Sequence, residues 1–157
     1  MSNTIYFYND ICSQDYISNF VYEEITYSSF EQWMFAKKSS YMGDYATHYK
    51  VMSTSDPNWI RMLGTQIKKC NTEKWNKDCF TIAVLGTYLK FSQNSRLLRW
   101  LLHTDNRMLV HARPCDRIWG EGLFIYDANV HRVYQNDNFL GKALMEARRC
   151  LLQKYTF

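Results

Sequence analysis

Two prolines and six glycines among 157 residues leave no material for a flexible linker or a low-complexity tract. No apolar run approaches the roughly 18 residues that a membrane span needs. The opening "MSNTIYFYND" lacks the basic and then apolar layout of a secretory signal, so no membrane partner is expected. The five cysteines, at 12, 70, 79, 115 and 150, are odd in number and contain no C-x-x-C. They read as reduced thiols of an intracellular, cytoplasmic protein. The four histidines never fall in H-x-x-x-H, so no metal is expected. G-x-x-x-x-G-K-[ST], G-x-G-x-x-G and G-x-S-x-G are all absent. That removes the P-loop, dinucleotide and nucleophile-elbow signatures, and with them any expected cofactor.

What is present is a globule. Hydrophobic residues make up 46% of the chain and charged residues 22%, a balance that packs rather than stays disordered. The length predicts one domain over residues 1–157. Aromatic residues reach 17%, with 12 Tyr and 5 Trp, enough to serve a core and also a site where a flat ligand stacks. The net charge of +4 permits a phosphate-bearing partner without demanding one.

Local patterns predict an α+β chain, helix-rich with a small β-sheet. "TIYFYND" reads as a strand, and "FVYEEITYSS" as a second strand or hairpin arm. A helix begins at "SSFEQWMFAKK", where Ser28 and Glu31 have the spacing of a capping box and Gly43 makes a stop. Asp56 and Pro57 open another helix, with Gly64 beyond its end. Helical spacing recurs from Thr72 to about Gln93 and again in "SRLLRWLLHT", and "RMLVHARP" reads as a strand ended by Pro114. The last helix places Leu140, Leu144, Ala147 and Leu151 on one face.

Three constellations can carry chemistry. Glu31, Met34 or Phe35, and Lys38 share one helical face, so a carboxylate and an amine can flank a substrate; spacing alone favours Glu31 as a cap. "DRIWGEGL", residues 116–123, sets Asp116 beside Trp119, with Gly120 and Gly122 allowing close backbone approach. It also fits a turn whose Trp covers the core edge. Asn138 can cap the last helix, whose first N–H groups suit an anion. Arg148 and Arg149 there fit a solvated face, or one reaches inward to a phosphate.

In order along the chain stand "SNF" at 18–20, "SSFEQWMFAKK" leading to "GD" at 28–44, "LG" at 63–64, Trp75, "LKFSQN" at 89–94, "LLHT" at 101–104, "DRIWGEGL", and Asn138 with "LGKALMEAR". This series resembles the NADAR family, whose name refers to NAD and ADP-ribose. The resemblance covers roughly residues 5 to 152. It implies an α+β fold and hydrolysis of an N-glycosidic bond, either of ADP-ribose attached to guanine bases of DNA or RNA, or of ribosylamino-pyrimidine phosphates of riboflavin biosynthesis. A non-catalytic ADP-ribose reader is the alternative of another class. The family's acid falls on Glu31, its lysine on Lys38, and its aspartate and tryptophan on Asp116 and Trp119, followed by Gly120. Asn19, Phe20, Asn138 and Gly141 match its binding elements, and Trp75 and Arg148 are further candidates for contact with the substrate. Lys37, Thr65, "TDN" at 104–106 and His111 depart from its pattern.

On this reading Glu31 does acid-base work, Asp116 stabilises the oxocarbenium-like charge, and Trp119 stacks on the base or closes the pocket, a task for which Trp75 is the second candidate. Lys38 either clamps phosphate or, as a neutral amine, forms a Schiff base with the ribose.

Overall fold

The computed structural model describes residues 3–7, 10–112 and 138–156. Its β-prone stretches pair in two ways. Strand β1 (Thr4–Phe7) lies parallel to β4 (Met108–His111), Thr4 opposite Met108 and Phe7 opposite His111. Strands β2 (Phe20–Tyr22) and β3 (Ile25–Tyr27) form an antiparallel hairpin. Their link is Glu23–Glu24, both left-handed at φ 49° and 65°, the backbone twist that two-residue hairpins favour. Among the described residues the strands thus form two two-stranded sheets. The stretch read as one strand or hairpin arm holds both arms of the hairpin, because its turn carries Glu-Glu where Asn-Gly is usual.

Helix α1 (Phe30–Tyr41) is followed by α2 (Tyr45–Met52), α3 (Pro57–Thr65), α4 (Thr72–Ser92) and α5 (Ser95–Leu102), and α6 (Phe139–Tyr155) ends the described chain. Short polar side chains start several of them. Asp44 accepts from Thr47 N at 3.1 Å, and Asp56 accepts from Asn58 N at 2.9 Å with Pro57 at the first helical position. Gly43, at φ 68°, takes the chain out of α1.

Helix α4 forms the spine, with α1, α5 and α6 packed on it. Leu140, Leu144, Ala147 and Leu151 of α6 are all buried, as the periodicity predicts. Helix α1 is gripped by aromatic rings set over glycines. Trp33 occupies the space above Gly86 of α4, where a Cβ would come within 2.4 Å of its ring. Phe35 does the same over Gly64 of α3 at 2.4 Å. Gly64 thus lies inside α3 rather than beyond its end, because the Phe35 ring needs the missing side chain.

The hairpin closes over the other side of Trp33. Tyr22 and Tyr27 meet the indole edge-on, with centroids at 5.3 and 5.0 Å. Trp33 Nε1 donates to Ile82 O at 2.9 Å, which satisfies the indole inside the core.

Candidate active site

Glu31 stands in the first turn of α1. The N-cap is Ser29, whose Oγ accepts from Gln32 N at 3.1 Å. The expected Ser28–Glu31 box is shifted by one residue. Gln32 takes its acidic position, its Oε1 accepting from Ser28 N at 2.6 Å. Gln32 Nε2 also donates to Val51 O and Thr54 O at 2.9 and 2.8 Å, tying α1 to the end of α2. The cap does not use the Glu31 carboxylate.

Glu31 is only 3% exposed. Its backbone N–H donates to Gln14 O at 2.7 Å. Its Oε1 lies 3.7 Å from Nε of Arg61 on α3, and Arg61 Nη2 is paired with Asp15. A buried carboxylate next to a guanidinium, off the capping geometry, is an arrangement that can exchange protons with a ligand.

Further along the same face, Phe35 seats on Gly64, and two turns from Glu31 comes Lys38. Seven residues of helix separate the two backbone positions by roughly 10 Å along the axis. Lys38 is half-buried, and no hydrogen bond or ion pair holds its ammonium among the described residues. Burial pushes its pKa below the ordinary lysine value, and Lys69 pushes it the same way, against a smaller upward pull from Cys79 on α4.

The remaining candidates divide by location. Asp116, Trp119 and Gly120 lie outside the described residues. Asn19 is exposed, and its carbonyl accepts from Asn94 Nδ2 at 3.3 Å. Phe20 is core, its ring 5.7 Å from that of Tyr27. Trp75 is 6% exposed and meets Tyr41 edge-on at 5.5 Å, so it sits within the core near the Lys38 end of α1.

Asn138 does not cap α6 with its side chain. Its Oδ1 accepts from His111 N and its Nδ2 donates to Leu109 O, both at 3.0 Å, so the amide clips α6 to β4. Gly141 has the same cause: a Cβ there would fall 2.2 Å from Leu109 O. Arg148 turns inward, and its Nη1 donates to Thr104 Oγ1 at 2.7 Å and Arg107 O at 2.9 Å. Arg149 stays on the surface with Glu146.

Sequence inspection misses Arg61 and Lys90. Lys90 is 1% exposed inside α4, and its Nζ donates to Ser13 O at 3.1 Å. A signal for it exists: Ala83, Thr87 and Lys90 continue one buried stripe. Among the described residues no three His, Cys, Asp or Glu side chains converge as metal ligands, and no helix is long and apolar enough to cross a membrane.

The model of the NADAR domain family matches residues 3–152. The chain belongs to the NADAR family. This NADAR chain is 40% identical over 124 residues to an N-glycosidase of Acanthamoeba polyphaga mimivirus, covering 78% of itself and 73% of that protein. It is 28% identical over 131 residues to Protein irg-1 of Caenorhabditis elegans, covering 81% of itself and 62% of the relative. Its fold matches the NMR structure of the Escherichia coli protein YbiA with a TM-score of 0.81, at 24% identity over 100% of this chain and 90% of the other.

Three of the departures from the NADAR pattern can be placed in the structure. Lys37 sets its ammonium 4.5 Å from the Trp33 ring centroid and 5.0 Å from that of Tyr22, so the charge covers the aromatic cluster. His111 is buried and stacks on Phe7 at 5.1 Å. Thr65 stands where the resemblance implies an arginine, and Arg61 supplies a guanidinium from one turn earlier on α3.

Proposed function

We propose that this chain is a hydrolase of N-glycosyl bonds, and that its substrate is ADP-ribose joined to a guanine base of nucleic acid or a nucleotide. The observation that carries the reading is Glu31: buried, beside Arg61, and not used by the helix cap that would otherwise explain it. The N-glycosidase named among its relatives supports the same class of bond.

Cleavage at the ribose C1′ develops positive charge on the sugar and negative charge on the departing base. Glu31 gives a proton to the base as the C1′–N bond breaks and later takes one from water. Asp116 stabilises the charge on the sugar, and Trp119 stacks on the base. Lys38, two helical turns from Glu31, acts either as an ammonium clamp on phosphate or as a neutral amine that attacks C1′ of the opened ribose, forming a Schiff base as the protonated base departs, which water then hydrolyses. Its lowered pKa supports the amine more than sequence alone does.

The test is incubation of the purified protein with an ADP-ribosylated guanine oligonucleotide and assay for released ADP-ribose. Catalytic release is expected. Stoichiometric binding without product would replace the enzyme with a reader. Turnover only of a ribosylamino-pyrimidine phosphate, assayed in parallel, would keep the bond class and move the substrate to the riboflavin intermediates.

A further inference from the structure

Glu31 is approached from outside α1 by a short chain of contacts that nothing in its own helix requires. Arg61 uses Nη2 on Asp15 Oδ2 and points Nε at Glu31 Oε1, 3.7 Å away. That separation exceeds a hydrogen bond, and Arg61 Nε is shut off from solvent with no acceptor among the described residues. A shift of under an ångström would close it. Asp15 belongs to a segment fixed at two points: Gln14 O accepts from Glu31 N at 2.7 Å, and Ser13 O accepts from Lys90 Nζ at 3.1 Å. Within the segment, Asp10 Oδ1 accepts from Cys12 N at 2.9 Å and Ser13 Oγ accepts from Asp10 N at 2.9 Å.

A half-exposed ion pair such as Arg61–Asp15 adds little to stability. Its construction makes sense as orientation. The buried lysine fixes the segment, the segment fixes Asp15, and Asp15 holds the Nη2 of a guanidinium whose Nε lies beside the carboxylate. We propose that Asp15 and Arg61 form a positioning arm that holds Glu31 Oε1 in the direction from which it exchanges a proton with the substrate. Arg61 is a positioning residue here, and the proposal rests on the reading of Glu31 as the acid-base group.

The experiment compares steady-state kinetics on ADP-ribosylated guanine oligonucleotide for Arg61→Met, Asp15→Asn, the double variant and Glu31→Gln, each with its melting temperature. Misplacing a reacting group by about 1 Å can cost on the order of a hundredfold, so Arg61→Met should lower kcat by roughly ten- to a hundredfold with KM nearly unchanged. Asp15→Asn should lower kcat less. The double variant should be no slower than Arg61→Met, because Asp15 acts only through Arg61. Guanidinium ion added to Arg61→Ala should restore part of kcat, which a purely structural role would not allow. Should Arg61→Met not fold, Arg61→Lys gives the same reading, since it keeps the charge and loses the planar fork. Unchanged kcat in Arg61→Met beside an inactive Glu31→Gln would overturn the arm and leave the Glu31 reading standing. A raised KM at constant kcat would overturn it too, by making Arg61 a substrate contact. Full activity in Glu31→Gln would remove both readings together.

Discussion

Gln32 Nε2 donates to Val51 O at 2.9 Å, so a side chain in the first turn of α1 satisfies a carbonyl near the end of α2. The same amide serves Thr54 O and, through Oε1, Ser28 N. Three backbone groups depend on one glutamine. Gln32→Ala should therefore cost about 1–3 kcal/mol of stability, the penalty for leaving such groups unsatisfied. Urea denaturation checks this, and a change within about 0.5 kcal/mol, ordinary for a surface site, would contradict the role.

The ring of Phe35 over Gly64 gives a second stability test. A methyl group on Gly64 has no room, at 2.4 Å from the ring. Gly64→Ala should destabilise by roughly 1–3 kcal/mol, as overpacking does. Adding Phe35→Leu should recover part of the loss. Additive losses in the double variant would show that the two positions are not coupled.

Much of this fold is legible in the sequence. Asp56-Pro57 opens α3 and Gly43 closes α1 through local chemistry that acts within a turn. The buried stripe of α6 follows from its period. What escapes inspection depends on partners distant in sequence. Gly64 reads as a stop until Phe35, 29 residues earlier by number, is seen above it. Asn138 reads as a cap, yet its amide is drawn to β4 across a gap of 27 residues. The site shows the same division. Glu31 and Lys38 are linked by helical period and so appear together in the sequence. Arg61 and Asp15 join them only through packing of α3 and the 10–16 segment against α1.

Lys90 predicts a pH effect on stability. Burial pushes its pKa down to about 8, partly countered by Cys12, Asp10 and Asp15. An unfolded lysine titrates near ~10.4, so between those values the unfolded chain binds more protons than the folded one. Stability from this group therefore rises with pH across that window, and the burial penalty is fully present below it. Lys90→Met should flatten the rise relative to the parent, measured by denaturation from pH 7 to 10.5. Parallel curves would contradict the buried ammonium.

Lys38 separates two mechanisms. Its pKa is lowered by burial and by Lys69, so a route through the neutral amine should speed up as pH rises through that value. Borohydride added during turnover should then trap ribose on Lys38, and Lys38→Arg should be inactive although it keeps the charge. An active Lys38→Arg enzyme with no trapped adduct in the parent would leave Lys38 as a phosphate clamp.

The most direct measurement is the rate of ADP-ribose release from an ADP-ribosylated guanine oligonucleotide by Glu31→Gln. Glutamine keeps the shape of the side chain but cannot transfer the proton, and the cap is made by Ser29 and Gln32 without it. If Glu31 transfers the proton, the variant folds and its turnover falls by about a hundredfold or more. Parental turnover in a folded Glu31→Gln protein would contradict that role.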